Sequence, residues 1–273
     1  MELSDEFLFK FLLSNRFGHF SCVKSLAKWE VPSQDLPGTW MPKIAGKLVP
    51  CQTGYHLARK KDLIEWIGPL LYVAEPRGQL TPSDRKVVAS EVRLLFRVET
   101  WNDRTARLFA ADCAEHVLAY YQYIDVINPQ HTSIRQGIQD LQQAIQDARA
   151  CADDLISPSE MLKSAKLADY AAKRLGHLIL GSKDYAAAWA AALSTKWATS
   201  KEKPWVAARK ASKYAAACVG IVELAPAMIT QACNQVVMQL ASRDPDQELG
   251  DSAGDSERKW QNDQLWSRLN RAC

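Results

Sequence analysis

The chain has 273 residues, of which 47% are hydrophobic and 24% are charged, and its formal net charge is +3. The length exceeds that of one ordinary domain and the composition is typical of globular proteins, so we expect two folded domains with disorder confined to segments. A charge this close to balance excludes the strongly basic surface that non-specific nucleic-acid binding needs.

The seven cysteines are widely spaced, and no two form a Cys-x-x-Cys pair. This spacing argues against a zinc ribbon or a disulfide framework and indicates a reducing cytoplasm. The N-terminus carries acids where a secretory signal carries positive charge, and no apolar run approaches the roughly 20 residues of a membrane span. We therefore expect a soluble cytoplasmic protein with no metal, no membrane partner and no sequence-specific nucleic-acid partner.

Residues 1–99 alternate short apolar runs with turn residues, which predicts an α+β domain with a small mixed β-sheet of four or five strands. Strands are expected at 7–13, 47–51, 55–58, 70–74 and 86–99, and a short helix at 61–67. The last strand alternates apolar and charged side chains from Val92 to Glu99, which is typical of a strand with one buried face.

Residues 18–46 are rich in proline and glycine and include two tryptophans, which predicts an irregular segment fixed by its aromatic side chains. Six residues are candidates for lining a ligand pocket: Trp29, Trp40, Tyr55, His56, Arg59 and Arg77. Aromatic side chains beside a titratable group are typical of such pockets. The alternative is that Tyr55 belongs to the core and that Glu75 pairs with Arg77 or with a lysine.

Residues 45–98 resemble a small domain of bacterial and bacteriophage proteins whose function is undefined. The motifs that carry the resemblance are CQTGYHLARKKDLIEWIGPLLYVAEPRG (51–78) and KVVASEVRLL (86–95). They reproduce that family's order of a cysteine, a turn, Gly-aromatic-His, a short helix and a strand ending near a glutamate. This resemblance implies a fold but no activity.

The same stretch resembles part of the ADP-ribosyltransferase fold, through Gly-Tyr-x-Leu-Ala, a short acidic helix ending in Trp66 and a strand bearing a glutamate. That likeness implies NAD as the cofactor, Tyr55 as the residue stacked on nicotinamide and Glu75 as the catalytic carboxylate. It also implies His19 or Arg16 as the group on the first strand. The chain departs from the pattern because Pro76 follows Glu75 at once and the first-strand signature is missing.

The chain changes character at Thr100, and residues 100–242 are predicted to form an all-α, alanine-rich helical bundle. Thr100 and Asp103 fit a capping box, so a helix is expected from Trp101 to Asn128. Residues at spacings of three and four form its apolar stripe: Phe109, Cys113, Val117, Tyr120 and Ile124.

The first predicted helix carries a polar cluster of Asp112, Glu115 and His116. Asp112 and His116 are one turn apart, so their side chains can touch. One interpretation is a pair that closes the margin of the core. The other is half of a metal or acid–base site, which would need further ligands from elsewhere, and we expect no metal.

Further helices are predicted at 134–152, from Ser157 to Leu180, from Asp184, and from Pro204 to about residue 240 with a kink near Pro226. The aromatic stripe of the third of these is expected in the core: Tyr185, Trp189, Leu193 and Trp197. Residues 243–256 are expected to be a flexible acidic linker. Residues 257–273 are expected to be a helix that docks its tryptophans on its own chain or on a partner.

Residues 100–240 resemble the all-helical domains assigned as immunity proteins of bacterial toxin systems, through LFAADCAEHVL (108–118), the alanine-rich helices and Trp260-Gln261. His116 stands where that family has arginine. The resemblance implies a non-enzymatic protein of bacterial or phage conflict that binds a protein partner and needs no cofactor. The alternative is an ADP-ribosyltransferase-like enzyme, or a pocket in the N-terminal domain that sequesters a nucleotide.

Overall fold

The computed structural model describes residues 3–15, 18–21, 28–33, 36–130, 132–176, 183–223 and 254–270. The chain divides into two compact units, and each is described by itself. The sheet unit comprises Met1–Asn102 and Asn262–Cys273, and the helical unit comprises Asp103–Gln261. An antiparallel sheet followed by helices confirms the predicted α+β class.

The described residues form six strands, one 3-10 helix and six α-helices. The strands are β1 (Leu8–Asn15), β2 (Gly18–Ser21), β3 (Lys28–Trp29), β4 (Tyr55–Leu57), β5 (Leu70–Ser83) and β6 (Lys86–Arg97), and the 3-10 helix spans Lys60–Trp66. The α-helices are α1 (Asp103–Ile127), α2 (Thr132–Ala152), α3 (Pro158–Gly176), α4 (Lys183–Ala198), α5 (Pro204–Glu223) and α6 (Asp255–Asn270). No helix in the described ranges is both long enough and apolar enough to span a membrane.

The sheet has the strand order β3-β2-β1-β5-β6-β4, and every pairing between its strands is antiparallel. It has six strands and no parallel pair in the described residues, so the prediction of a mixed sheet with four or five strands is wrong. Two backbone hydrogen bonds between Phe9 and Ala58, of 2.8 and 2.9 Å, join the chain just after β4 back to β1.

Strand β5 is much longer than the predicted 70–74, because the chain passes Pro76 and Gly78 without leaving the sheet. A bulge between Arg77 and Leu80 absorbs the irregularity, and Gly78 adopts a φ of 76° there. A Cβ on Gly78 would lie 2.5 Å from the Ser90 hydroxyl, which accepts a 2.9 Å hydrogen bond from the backbone N–H of Gln79. Gly78 therefore allows β5 to continue past the bulge.

Strand β6 is buried on both faces from Lys86 to Val92, so the prediction of one buried face holds only for its second half. The segment predicted as irregular forms β2 and β3 in its first part, which the prediction missed, and its later part from Gly38 to Ile44 lies along the edge of β6. The N–H groups of Gly38, Met41 and Ile44 donate to carbonyls of β6 over 2.8, 2.8 and 2.9 Å. The predicted strand at 47–51 is wrong, since this stretch makes only a bridge from Val49 to Thr53. Proline-rich chain thus protects a sheet edge.

The C-terminal half of α6 packs within the sheet unit. Leu265 and Leu269 are buried, and Trp266 makes an edge-on contact with Phe9 at 5.7 Å between ring centroids. The Asn262 side chain accepts from the Ile64 N–H at 3.3 Å and donates to the Lys61 carbonyl at 2.6 Å. The tail helix therefore docks on its own chain.

The capping box predicted at Thr100 is wrong, because α1 begins at Asp103. The Thr100 hydroxyl instead donates to the Leu269 carbonyl at 2.7 Å, and the indole N–H of the buried Trp101 donates to the Gly68 carbonyl at 2.8 Å. Both residues thus belong to the sheet unit.

The apolar stripe of α1 differs from the prediction at one position. Tyr121 is fully buried and Tyr120 is only half-buried.

A capping box forms at Ser157, where the sequence predicts the start of a helix. The Glu160 N–H donates to the Ser157 hydroxyl at 3.2 Å, and the Ser157 N–H donates to the Glu160 carboxylate at 2.8 Å. Pro158 is the first residue of α3, and Pro204 likewise begins α5. The predicted ends of these helices at Leu180 and near 240, the kink at Pro226 and most of the predicted linker lie outside the described residues. Helix α6 begins at Asp255, two residues earlier than expected.

Helix α4 buries its small residues and, of the stripe expected in the core, Leu193 but none of the aromatic residues. Tyr185, Trp189 and Trp197 are only half-buried. The fully buried positions are alanines and small hydroxyl residues: Ala186, Ala187, Ala188, Ala190, Ala191, Ala192, Ser194 and Thr195. The Ser194 hydroxyl donates to the Ala211 carbonyl of α5 at 2.8 Å, which requires the two helices to lie close together. The prediction that the aromatic residues fill the core is therefore wrong.

Candidate functional site

Trp29 and Tyr55, two candidates for lining a pocket, pack against each other inside the sheet unit. Their rings meet edge-on with centroids 5.6 Å apart, and Trp29 is almost fully buried. The Tyr55 hydroxyl donates to the Pro42 carbonyl at 2.7 Å, and burial raises the pKa of this hydroxyl. Both residues fix the irregular segment to the sheet, which matches the interpretation of Tyr55 as a core residue.

His56 acts as a hydrogen-bond acceptor. Its Nε2 accepts from the backbone N–H of Cys51 at 2.9 Å, and its carbonyl accepts from Lys10 Nζ at 2.9 Å. Burial, followed by the positive charges of Lys10 and Lys86, lowers the pKa of His56 to about 4. The imidazole is therefore neutral near neutral pH and helps to hold the turn at Cys51.

Arg59 holds the tip of the hairpin between β5 and β6. Its guanidinium pairs with Asp62 and donates to the Ser83 carbonyl at 3.0 Å and to the Asp84 carbonyl. The Trp66 indole donates to the neighbouring Arg85 carbonyl at 3.0 Å. The structure thus gives Arg59 a structural role in the hairpin.

Trp40 and Arg77 do come together, and with three further residues they form what we call the Trp40 surface: Trp40, Glu75, Arg77, Glu91 and Arg93. The Arg77 guanidinium lies 3.9 Å from the centroid of the Trp40 ring, and that of Arg93 lies 4.8 Å from it. Both distances are typical of cation–π contacts, in which guanidinium groups stack on the ring face.

Two cross-strand ion pairs hold the arginines of the Trp40 surface in place. Arg77 contacts the Glu91 carboxylate through Nε at 2.8 Å and Nη2 at 2.7 Å, and Arg93 Nε lies 2.5 Å from Glu75. In each pair the two residues are direct partners across β5 and β6. The Arg77 side chain remains 51% exposed and that of Arg93 31%. The surface therefore presents arginines that are ordered but accessible, and Glu75 pairs with Arg93 rather than with Arg77.

The residues required by the transferase likeness are not brought together. Strands β4 and β5 flank β6 on opposite sides. Tyr55 is opposite Ala89 and Glu75 is opposite Arg93, so the two sites are 93 − 89 = 4 residues apart along β6, or about 13 Å. His19 lies on β2 opposite Trp29, and Arg16 is outside the described residues.

The polar cluster of α1 is divided between two sets of contacts in the helical unit. Arg149 of α2 binds Asp112 at 3.0 Å and Glu115 at 2.7 and 2.9 Å, and its hydrogen bond lowers the pKa of Glu115. His116 instead has the carboxylate of Glu257 as its partner, 2.7 Å from Nδ1. The polar cluster of α1 therefore takes hydrogen-bond partners from α2 and α6.

His116 also stacks flat on Trp260, with ring centroids 3.7 Å apart. The Glu257 side chain is fully buried, and burial raises its pKa. Gln261 donates to Glu257 and to the Ser212 carbonyl, each at 2.9 Å. These contacts attach the first half of α6 to the helices of its unit. Within the described residues, no group of three or more His, Cys, Asp or Glu side chains could hold a metal ion.

Sequence reasoning missed a contact between Cys51 and Lys86. Cys51 lies exposed in the turn before β4, and Lys86, the first residue of β6, is only 9% exposed. Lys86 Nζ lies 2.7 Å from Cys51 Sγ. The one available signal was a lysine directly before the apolar run at Val87, since a charged side chain is rarely buried without a partner.

Comparison with known proteins places the chain in no family. No family model, curated protein or solved structure matches it. Functional inference therefore rests on the contacts described above.

Proposed function

We propose that the protein is a non-enzymatic binding protein of bacterial or phage conflict, acting in the cytoplasm as an immunity protein or as an inhibitor of a toxin or defence protein. Its contact site in the sheet unit is the Trp40 surface. The observation that carries this proposal is the stacking of two accessible, ordered guanidinium groups on one tryptophan. Tryptophan and arginine are the residue types most enriched where binding energy concentrates in protein interfaces.

The chemistry of the surface favours an acidic partner. Arg77 directs Nε and one Nη towards Glu91, and a guanidinium has five N–H donors, so donors remain for a carboxylate or carbonyl of the partner. Lys43 lies 3.9 Å from Glu91, so three cations meet two carboxylates and the local balance is 3 − 2 = +1. Because ion pairs already order the arginines, binding costs less side-chain entropy.

Two observations weigh against the enzymatic alternative and the nucleotide-sequestering pocket. The Tyr55 ring is packed edge-on to Trp29 and its hydroxyl is bound to the Pro42 carbonyl. Glu75 is neutralised by Arg93, and its strand is separated from that of Tyr55 by β6. Both observations favour the non-enzymatic proposal over the alternative.

Quantitative affinity capture tests the binding proposal. Tagged wild-type protein, Trp40→Ala and Arg77→Ala are incubated with bacterial lysate, and the captured proteins are compared by mass spectrometry. Tyr170→Ala is the matched control, because this exposed aromatic residue of α3 also has a cation, Lys173, 5.9 Å from its ring. We expect a protein that wild type and the control capture and that both Trp40-surface variants lose. Equal capture by all four proteins contradicts the assignment of the site.

The enzymatic alternative has its own test. The protein is incubated with NAD and lysate proteins, and intact masses are searched for added ADP-ribose. We expect none. Addition of ADP-ribose that disappears in Glu75→Gln would overturn the non-enzymatic proposal.

A further inference from the structure

The pair formed by Cys51 and Lys86 places two nucleophilic atoms in direct contact. Lys86 Nζ lies 2.7 Å from Cys51 Sγ, and the lysine reaches the sulfur from a side chain that is only 9% exposed. The two residues lie in different elements, the turn before β4 and the start of β6. The contact therefore joins the turn before β4 to the start of β6 within the sheet unit.

Two surrounding residues, His56 and Trp66, hold the pair together. The N–H of Cys51 donates to His56 Nε2, and the residue adopts a φ of 65°, in the left-handed region. Lys86 Nζ lies 5.2 Å from the centroid of the Trp66 ring. His56, neutral near neutral pH, adds no competing positive charge. The sulfur is therefore fixed on one side by the turn and the nitrogen on the other by the aromatic ring.

Cys51 differs from the other cysteines that the structure describes. It is exposed, whereas Cys113, Cys151 and Cys218 are buried in the helical unit. Exposed cysteines beside a lysine are those most open to oxidants, and an oxidised cysteine that has a nitrogen nucleophile nearby can condense with it. The nucleophile in contact with Cys51 is the amine of Lys86.

We propose that Cys51 and Lys86 form an oxidative cross-link, in which a peroxide joins the two side chains through a covalent S–N bond that thiols reverse. The linkage is a modification site independent of the Trp40 surface and of the binding function proposed above. Its product ties the turn before β4 to the first residue of β6.

The reaction balances with one peroxide. The Cys51 sulfur attacks a peroxide oxygen, the O–O bond breaks and an S–O bond forms. The sulfur loses two electrons, the peroxide is reduced to water, and Cys51 becomes a sulfenic acid. The Lys86 amine, its extra proton released to solvent, then attacks the sulfur. The S–O bond breaks as the S–N bond forms, and the hydroxyl leaves as water with a second proton from the amine. One thiol, one amine and one hydrogen peroxide thus give one S–N bond and two waters.

Peptide mapping of the full chain after treatment with hydrogen peroxide tests the proposal. The protein is digested without reductant, and we expect a peptide pair joined through Cys51 and Lys86 whose combined mass is lower by two hydrogens. Treatment with dithiothreitol should return both unmodified peptides. Lys86→Arg keeps the positive charge but lacks the amine, so it should lose the linked pair completely, as should Cys51→Ser.

Lys47→Arg is the matched control, since Lys47 lies exposed before the same turn. This variant should form the link between Cys51 and Lys86 as wild type does. Circular dichroism before oxidation establishes that each variant is folded, and the two independent variants guard against the failure of either one. Oxidation of Cys51 to sulfinic or sulfonic acid with Lys86 unlinked in folded wild-type protein would overturn the proposal. So would a linked pair that persists in Lys86→Arg.

Discussion

The sheet unit and the helical unit are stabilised by different kinds of contact. In the sheet unit, long polar and aromatic side chains reach across the sequence to bind backbone carbonyls, as Trp101 does at Gly68 and Arg59 at Ser83. In the helical unit, small side chains allow helices to approach closely, as at Ser194 and Ala211. Substitutions that remove a side chain should therefore damage the first unit most, and substitutions that add volume should damage the second.

Trp101→Ala should have the largest effect. The side chain is 1% exposed, and its removal leaves a cavity and an unpaired Gly68 carbonyl, so we expect a loss of about 3–5 kcal/mol in the free energy of unfolding. Trp189→Ala, in the helical unit, removes a half-buried ring and should cost clearly less. Urea unfolding followed by circular dichroism measures both. Equal losses would remove the distinction between the units.

The capping signals at Ser157 and Thr100 show why a local sequence pattern predicts the start of one helix correctly and that of another wrongly. Ser157 and Glu160 bond to each other as a local motif should. Thr100 carries the same kind of signal, but its hydroxyl is taken by the Leu269 carbonyl, 169 residues away. Local signals predict local structure only where no distant group competes for the same hydrogen bond.

The candidate site shows the same limit. The sequence predicts Trp40 and Arg77 as candidate binding residues from their residue types. Their partners depend on the register of β5 and β6, which shifts at a bulge between Val73 and Ala74 and at another between Arg77 and Leu80. A one-residue shift changes which side chains face each other, and periodicity does not locate a bulge.

Ala191→Leu tests whether added volume damages the helical unit. Ala191 is fully buried in α4, so added methyl groups must displace neighbouring helices, and we expect a loss of about 1–3 kcal/mol in the free energy of unfolding. Ala119→Leu makes the same change on the exposed face of α1 and should stay within about 0.5 kcal/mol of wild type. Thermal unfolding of both variants measures the difference. A tolerated leucine at 191 would mean that the small residues of α4 are not needed for close packing.

Gly78→Ala tests whether the long β5 strand depends on its glycine. The new Cβ would lie 2.5 Å from Ser90 Oγ at a φ of 76°, so strain and collision together should cost about 1–3 kcal/mol. Gly46→Ala is the matched control, because its φ is 90° but nothing lies within 4 Å of the added atom. The difference between the two variants in urea unfolding isolates the collision. If the two variants lose the same stability, backbone strain alone explains why position 78 requires glycine.

The smallest expected effect is a pH dependence that belongs to the sheet unit. The pKa of His56 is lowered to about 4 in the folded protein by burial and by Lys10 and Lys86, whereas an unfolded histidine titrates near 6.5. The unfolded state therefore takes up a proton first as the pH falls. The stability contributed by neutral His56 is complete above about pH 6.5 and is lost between about pH 6.5 and about pH 4.

Because His56 is only half-buried, solvent screening reduces the effect, and we expect the loss to be about 1–2 kcal/mol. His56→Gln keeps an acceptor for the Cys51 N–H but has no proton to gain, so its free energy of unfolding should fall less than that of wild type over the same pH range. Lys10→Met should give an intermediate slope, since one of the two cations that lower the pKa is removed. Identical pH dependence in wild type and His56→Gln would show that His56 does not cause the loss of stability. An NMR titration of His56 near the unfolded value would show that burial and the two lysines do not lower its pKa.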